Sequence, residues 1–541
     1  MYDLLLKNAK IIDGTGSPWY YGDIAIKNGR IERIGKLDVT AKQIIDVMKK
    51  VVSPGFIDMH THSDLVILDR PLIEEKIRQG ITTDLLGQDG IAAAPLPVEY
   101  LTDWQNNLAG LDGTPPIEWN FTTIDEYLEQ IELKGPSYNL ATLAPHGNIR
   151  MEVMGLVNRP ATDEEIHQMK EVLRRCLEEG AVGLSTGLIY PPCCFAEMKE
   201  LEALCQVIAE YGAPLVIHQR SEGDEILESM DELIEMMKRC GAHLHFSHLK
   251  NCGKENWHKT PDVLQKIDKA REEGLEVTFD QYPYTAGSTM LSAILPPWAH
   301  DGGTEAMLER LKDAALRERI VSEMATAVKG WDSMSKWAGW DGIVITSVAS
   351  SLRQSYVGKT IREITIKEGR DDYPYVALDL ILNERNAVGM IDFVMNEESV
   401  KQILSHPSGT VGSDGLLGGE PHPRAYGSFP RIIGKYVREE RITSLEEMIR
   451  RMTSQPARII GLQDRGIIRE GLVADLVIFD PDTISDRATY EKPRQYNHGI
   501  RFVIVGGRVV IDGENAIAQG SGEVIRRVYS IERNSILEQI R

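Results

Sequence analysis

Ser53-Pro54-Gly55-Phe56-Ile57-Asp58-Met59-His60-Thr61-His62 is the stretch on which the reading of this chain turns. An apolar run ends in two histidines separated by one residue. In an extended strand, residues i and i+2 point to the same side. His60 and His62 therefore present two imidazoles on one face at the strand's C-terminal end. A shared metal ion needs that arrangement, although two solvent-facing histidines would be spelled the same way.

Outward from this stretch, other strand-like segments end in similar groups. His218 closes Leu215-Val216-Ile217-His218, His248 closes His245-Phe246-Ser247-His248, and Asp414 closes Thr410-Val411-Gly412-Ser413-Asp414. Asp89 lies in Gly87-Gln88-Asp89-Gly90 after the second such segment. Strand candidates fall at 51–62, 82–89, 138–145, 182–189, 214–218, 243–248, 276–282 and 410–414. Helical periodicity follows several of them, at 163–179, 197–211 and 226–240. Alternating strands and helices argue for an α/β fold with a parallel sheet, and eight such units argue for a closed (β/α)8 TIM-type barrel. A doubly wound open sheet is the alternative, but no G-x-G-x-x-G follows an early strand. In a barrel the C-terminal strand ends converge on one mouth. His60, His62, Asp89, His218 and His248 would meet there with Asp414, as nitrogen and oxygen donors of the kind that suit Zn²⁺ and similar ions.

The flanks read differently. Residues 1–54 alternate short strands and turns, with Asn28-Gly29 supplying a positive-φ hairpin. The tail repeats the style, with a strand at 474–480 and a hairpin around Gly506-Gly507. Residues 1–54 plus 466–541 are expected to form a small β-sandwich domain beside a barrel at 55–465. The interval 285–405 exceeds any simple loop. It has a helical pattern at 306–327 and a strand at 343–348, and is expected to cover the active-site mouth as an insertion between strands 7 and 8.

Composition sets outer limits. Among 541 residues, 60 Lys and Arg stand against 81 Asp and Glu, a net charge of −21. That balance argues against nucleic acid or an anionic membrane as partner, since both need basic surface. The 42% of hydrophobic residues suffices for a packed core. No apolar run reaches the roughly 18 residues of a membrane span, and the start carries no basic lead of a signal peptide. Six cysteines without a CxxC pair read as reduced thiols, so a cytoplasmic location is expected. A homo-oligomer is compatible with all of this.

With these residues assembled, the chain resembles the amidohydrolase superfamily of metal-dependent barrels, and within it the N-acyl-D-amino-acid deacylase (D-aminoacylase) branch. The resemblance rests on the HxH strand with His218, His248 and Asp414, and on longer strings covering most of the chain. Those strings are Gly183-Leu184-Ser185-Thr186-Gly187-Leu188-Ile189-Tyr190-Pro191-Pro192, Ser247-His248-Leu249-Lys250, Gly253-Lys254-Glu255-Asn256-Trp257, Gln281-Tyr282-Pro283-Tyr284-Thr285-Ala286-Gly287-Ser288-Thr289 and Pro421-His422-Pro423-Arg424-Ala425-Tyr426-Gly427. It implies His218 and His248 at a tighter metal, His60 and His62 at a second one, and Asp414 as general base and acid. It implies Lys250, Tyr282, Ser288 and Arg424 as contacts to the substrate or its oxyanion. The metal would be one or two zinc ions, with cobalt or manganese as substitutes. The implied reaction is hydrolysis of an N-acyl-D-amino acid, a small-molecule substrate, to a carboxylate and the free amino acid.

One position departs from the branch, which usually has a cysteine where Asp89 stands. A thiolate is soft and holds zinc at one favoured site, whereas a carboxylate is harder and bridges two ions. Asp89 is expected to remain a ligand; the alternative is that it caps the next helix.

The chemistry of the residues agrees with the resemblance. A Lewis-acidic ion activates water and polarises a carbonyl. Asp414 can take and return a proton, Tyr282 can donate to an oxyanion, and Arg424 matches a carboxylate in a planar fork. His146 could line the pocket or serve structure, and His422 could shape the loop of Arg424. His243 and His245 have the opposite parity to His248 and are expected to face the helices. Ser185 lies outside any G-x-S-x-G elbow, Cys193 and Cys194 read as small buried hydrophobes, and Cys252, near Lys250, is an alternative thiolate near the mouth. Rival readings are a cyclic-amide hydrolase of hydantoinase or dihydroorotase type, a dipeptidase, or an inactive barrel with a binding role. The first of these commonly bridges its metals with a lysine of the fourth strand, and 182–189 has none.

Overall fold

The computed structural model describes residues 1–326, 328–517 and 520–529. At its centre are parallel strands with helices in the connections between them. They are β1 (Phe56–Asp58), β2 (Ile81–Leu86), β3 (Asn139–Thr142), β4 (Leu184–Gly187), β5 (Pro214–His218), β6 (His243–Phe246), β7 (Val277–Gln281) and β8 (Gly409–Val411). The first three pair in the order β1-β2-β3, and the last five in the order β4-β5-β6-β7-β8. The short strand Ala144–Pro145, one residue beyond β3, pairs with β4 and links the two sets. On the far side Met59 N donates to Val411 O, and Thr61–His62 pairs with Gly415–Leu416, so β8 returns beside the segment after β1.

Apolar side chains sort by strand parity. Leu215 and Ile217 of β5 join the large core between strands and helices, while Val216 faces the opposite way with Ile57, Met59, Leu85, Ala141 and Leu143. The helices behind the strands match their sequence periodicity. The helix Ile226–Cys240 begins and ends where its pattern does, and Asp163–Glu178 starts on a Thr162–Glu165 capping box.

The expected first strand, 51–62, is in fact three pieces with different partners. Val51–Pro54 pairs with Tyr2–Ile11 and Leu476–Phe479. Phe56–Asp58 pairs with β2, and Thr61–His62 with Gly415–Leu416. The break falls at Pro54-Gly55. Proline brings no N–H to a ladder, and a Cβ on Gly55 would lie 2.1 Å from Thr82 Oγ1, so only glycine lets the chain pass β2 here.

Both termini join one nine-stranded sheet, in which strands of residues 2–54 pair with strands of residues 476–516. The expected tail domain extends over residues 518–519 and 530–541, which lie outside the described residues. The interval 285–405 contains a three-stranded antiparallel sheet, Gly287–Met290, Val388–Asp392 and Ile343–Val348, with its own apolar core. The helical pattern at 306–327 resolves into Gly303–Arg310 and Ala314–Met324, and residue 327 lies outside the described residues. Among the described residues no helix is long and apolar enough to cross a membrane.

Candidate metal centre and catalytic pocket

His60, His62, Asp89, His218, His248 and Asp414 arrive from six positions along the chain and converge, all buried, at the C-terminal ends of the parallel strands. Asp89, His248 and Asp414 each hold a left-handed backbone, with φ of 57°, 33° and 50°. Such conformations persist only where surrounding structure enforces them, and they cluster at functional sites.

The carboxylate of Asp89 lies between two groups of histidines. Its Oδ2 is 3.6 Å from His60 Nε2 and 3.5 Å from His62 Nε2. Its Oδ1 is 3.7 Å from His248 Nε2, which is itself 3.0 Å from His218 Nδ1. Asp414 Oδ1 adds to the first group, 3.7 Å from His60 Nε2 and 3.4 Å from His62 Nε2. The two imidazoles of His218 and His248 are within hydrogen-bond distance of each other, while the carboxylate–imidazole separations exceed hydrogen bonds. They match ligand pairs around a tetrahedral ion, which with bonds of about 2.1 Å lie about 3.4 Å apart. Both ring nitrogens of His60, Nε2 of His218 and Oδ1 of Asp89 are buried and make no hydrogen bond among the described residues. Buried polar groups are nearly always partnered, so this donor set fits a divalent cation. His60, Asp89 and His248, and His60, His62 and Asp414, are each close enough to share one ion.

The charges agree. Burial opposes protonation of His62, but the carboxylates of Asp414 and Asp89 outweigh it and raise its pKa to about 10. Burial and Lys250 act against His248, and Glu222 and Asp89 lift it to about 9. Burial drives His218 down to about 4. Burial would raise Asp414, yet Arg424 and the neighbouring histidines hold it well below the usual carboxylate range.

A pocket opens beside this cluster and is lined in part by its own residues, His62, Asp89, His218, His248 and Asp414. Tyr282 and Ser288 line it with Lys250 and Arg424. The Tyr282 hydroxyl is buried and makes no hydrogen bond among the described residues, so its donor is free for a guest. Arg424 lies over the Tyr282 ring at 4.6 Å, and its Nη1 is 2.9 Å from Asp414 Oδ2. Lys250 Nζ is 2.6 Å from Glu222 Oε1. The Ser288 hydroxyl donates to Met390 O, while its own carbonyl accepts from Arg424.

Several residues escaped sequence reasoning. Glu222 stands 3.5 Å from His218 Nε2 and 3.2 Å from His248 Nδ1, and it makes a third possible ligand group with them. Asp280 accepts from the His248 backbone and lies 4.0 Å from His60 Nδ1. Asp112 lies 3.8 Å from His62 Nδ1. Only the place of Glu222, four residues past a strand-ending histidine, was a usable signal. His245 is a correction: it does not face the helices. It pairs across from Val216 inside the strand layer and is 3.0 Å from Asp280 Oδ2. Parity misled because His248 lies beyond the end of β6, where the left-handed turn resets the alternation. His146 bonds Thr186 and Glu200 in a buried network outside the pocket lining. The ring of His422 accepts from the Arg424 backbone at 3.0 Å.

Comparison with known proteins now adds weight. Residues 43–511 match the Amidohydrolase family. The chain belongs to that family. It is 34% identical over 535 residues to the N-acyl-D-glutamate deacylase of Alcaligenes xylosoxydans xylosoxydans, covering 98% of this chain and 97% of that one. It is 31% identical to the D-aminoacylase of the same organism, covering 97% and 98%. The crystal structure of N-acyl-D-glutamate deacylase from Bordetella bronchiseptica, with zinc and a phosphonate mimic of the tetrahedral intermediate, superposes with a TM-score of 0.83 at 35% identity. That match covers 97% of this chain and 100% of that one. As an amidohydrolase this protein is a metal-dependent hydrolase of amide bonds.

Proposed function

We propose that this protein hydrolyses N-acyl-D-amino acids, releasing a carboxylate and the free D-amino acid. The observation that carries the reading is the juxtaposition of a histidine–carboxylate ion site with Asp414 and a buried Arg424, only 2.9 Å apart. Hydrolase chemistry and anion recognition thereby share one pocket. The eight parallel strands are read as a closed (β/α)8 barrel spanning 55–465. Residues 1–54 and 466–541 are read as a companion β domain, and 285–405 as the cover of the mouth. Six free cysteines support a cytoplasmic setting.

In this reading His60, His62, Asp89 and Asp414 would hold one ion, and His218 and His248 would hold a second. The chemistry supplied there is Lewis acidity, which makes water a stronger acid and polarises a carbonyl. Lys250 Nζ and Glu222 Oε1 lie 2.7 Å and 3.2 Å from His248 Nδ1 and orient the ring so that Nε2 faces the ion site. Arg424 takes the substrate carboxylate through its fork, helped by Lys250 and the Ser288 region. That contact also loosens Arg424's hold on Asp414. The carboxylate then gains proton affinity when substrate is present, takes a proton from the attacking water and delivers it to the leaving nitrogen. Tyr282 donates to the developing oxyanion.

The test is amine release from acetyl-D-amino acids, acetyl-L-amino acids and cyclic amides, before and after chelator treatment and with zinc, cobalt or manganese restored. Ion-dependent release from the D-series is expected. Release from the L-series alone, preference for cyclic amides, or full turnover by stripped protein would refute the reading.

A further inference from the structure

The family relationship leaves the amino-acid side chain open. Relatives at 34% and 31% identity are an N-acyl-D-glutamate deacylase and a D-aminoacylase. The pocket lining is more specific. Its only Lys or Arg residues are Lys250 and Arg424. Each has an acidic partner, Glu222 at 2.6 Å and Asp414 at 2.9 Å, and both are already needed for the substrate's α-carboxylate. A second substrate carboxylate would enter the pocket without a free cation, and an unpaired buried charge is costly.

Asp392 is the opposite case. It ends the strand Val388–Asp392 of the insertion, is 5% exposed and lines the pocket. Among the described residues no hydrogen bond or ion pair reaches its carboxylate from a side chain. Gly287 makes room for it, since a Cβ there would lie 2.5 Å from Asp392 Oδ1. The other acid contributed by the insertion, Asp332, is already satisfied by the Ser221 hydroxyl and the Glu222 N–H. Cys252, Tyr282 and Val394, which line the same pocket as Asp392, form one apolar cluster with Trp337 packed against it. An apolar lining that shares a pocket with an unpartnered carboxylate suits a side chain with an aliphatic stem and a cationic head.

We propose that the side-chain compartment of this pocket takes a positively charged group, with Asp392 as its anchor, so that the preferred substrates are N-acyl derivatives of basic D-amino acids. This rests on the reading of the pocket as an N-acyl-D-amino-acid site. Burial lifts the Asp392 carboxyl to about 6, while Lys250 and Arg424 pull it back. A cationic guest would complete that pull.

The experiment compares kcat/KM of the zinc-loaded enzyme for the N-acetyl derivatives of D-lysine, D-arginine, D-leucine and D-glutamate. The basic substrates should exceed glutamate by about 100-fold or more, since a site with unpaired polar groups discriminates strongly. Asp392→Asn should lower the arginine-to-leucine ratio by about tenfold. A ratio within one preparation does not depend on how much of the variant is folded. Preference for glutamate, or a ratio unchanged in Asp392→Asn, overturns the inference. If no N-acyl-D-amino acid is turned over, the functional reading fails on its own. Calorimetric binding of N-acetyl-D-arginine and N-acetyl-D-glutamate then decides the present point. Tighter arginine binding that weakens in Asp392→Asn supports it, and equal or reversed affinities overturn it.

Discussion

Asp89 would set the character of the proposed metal centre, because its two oxygens face different histidines, Oδ2 toward His60 and His62 and Oδ1 toward His248. A thiolate offers one sulfur at such a position, whereas a carboxylate spans two cations. Asp89→Ala should therefore lower the metal content of purified protein by about one ion per chain, as zinc ligands are lost. Elemental analysis reads this directly, and unchanged stoichiometry would remove Asp89 from the ligand set. The histidines of this centre were legible in the sequence because each stands at or just past the end of a strand-like segment. Asp280 and Asp392 were not, for a physical reason, and Glu222 offered only its spacing from His218. Glu222 sits in a loop without periodicity. Asp280 reads as an ordinary polar alternation within β7. Asp392 belongs to an insertion whose contact with the pocket is set only by tertiary packing.

At the scale of elements, the end of β1 and the end of β8 are fastened to each other below the reacting groups. Asp58 Oδ1 accepts from the Ser413 N–H at 2.7 Å, and its Oδ2 accepts from Lys76 Nζ at 2.6 Å. Lys76 also donates to the Ser413 hydroxyl at 2.7 Å. Asp58 and Lys76 are fully buried. Ser413 precedes Asp414, so this network fixes the left-handed turn that presents the proposed base. Removing one member of a buried pair leaves the other charge unpaired, at a cost of about 3–5 kcal/mol. Asp58→Asn should lower the stability measured by urea unfolding by about that amount, and should reduce kcat while KM changes little. A loss below about 1 kcal/mol, the scale of an exposed pair, would show that the network is dispensable. The helix Ile226–Cys240 was legible to its ends because one apolar face suffices to define it. The run 51–62 was not, since a continuous apolar string does not announce that its pieces pair with three different strands. Parity placed His60 and His62 on one side, and both face Asp89 and Asp414. It failed for His248 against His245, where the strand had already ended.

For the molecule as a whole, folding, protons and metal are linked through the same side chains. In the ion-free centre His62 and His248 have pKa values of about 10 and 9, above the ordinary imidazole value of 6.5. Near neutral pH both carry a proton that a bound ion must displace, because only neutral imidazole donates to a metal. Loading zinc should release protons, and calorimetry in buffers of different ionisation enthalpy should count about two of them at pH 7.5. The sign for stability follows from the same values. Raised histidine pKa values stabilise the stripped fold fully below about 6.5, and that contribution fades as pH rises through 9 to 10. The ion-loaded fold does not depend on those protons, and binding stabilises it by mass action. The gap in Tm between zinc-loaded and chelator-stripped protein should therefore widen from pH 6.5 to pH 9. A gap that stays constant or narrows over that range would mean that these histidines do not hold the ion.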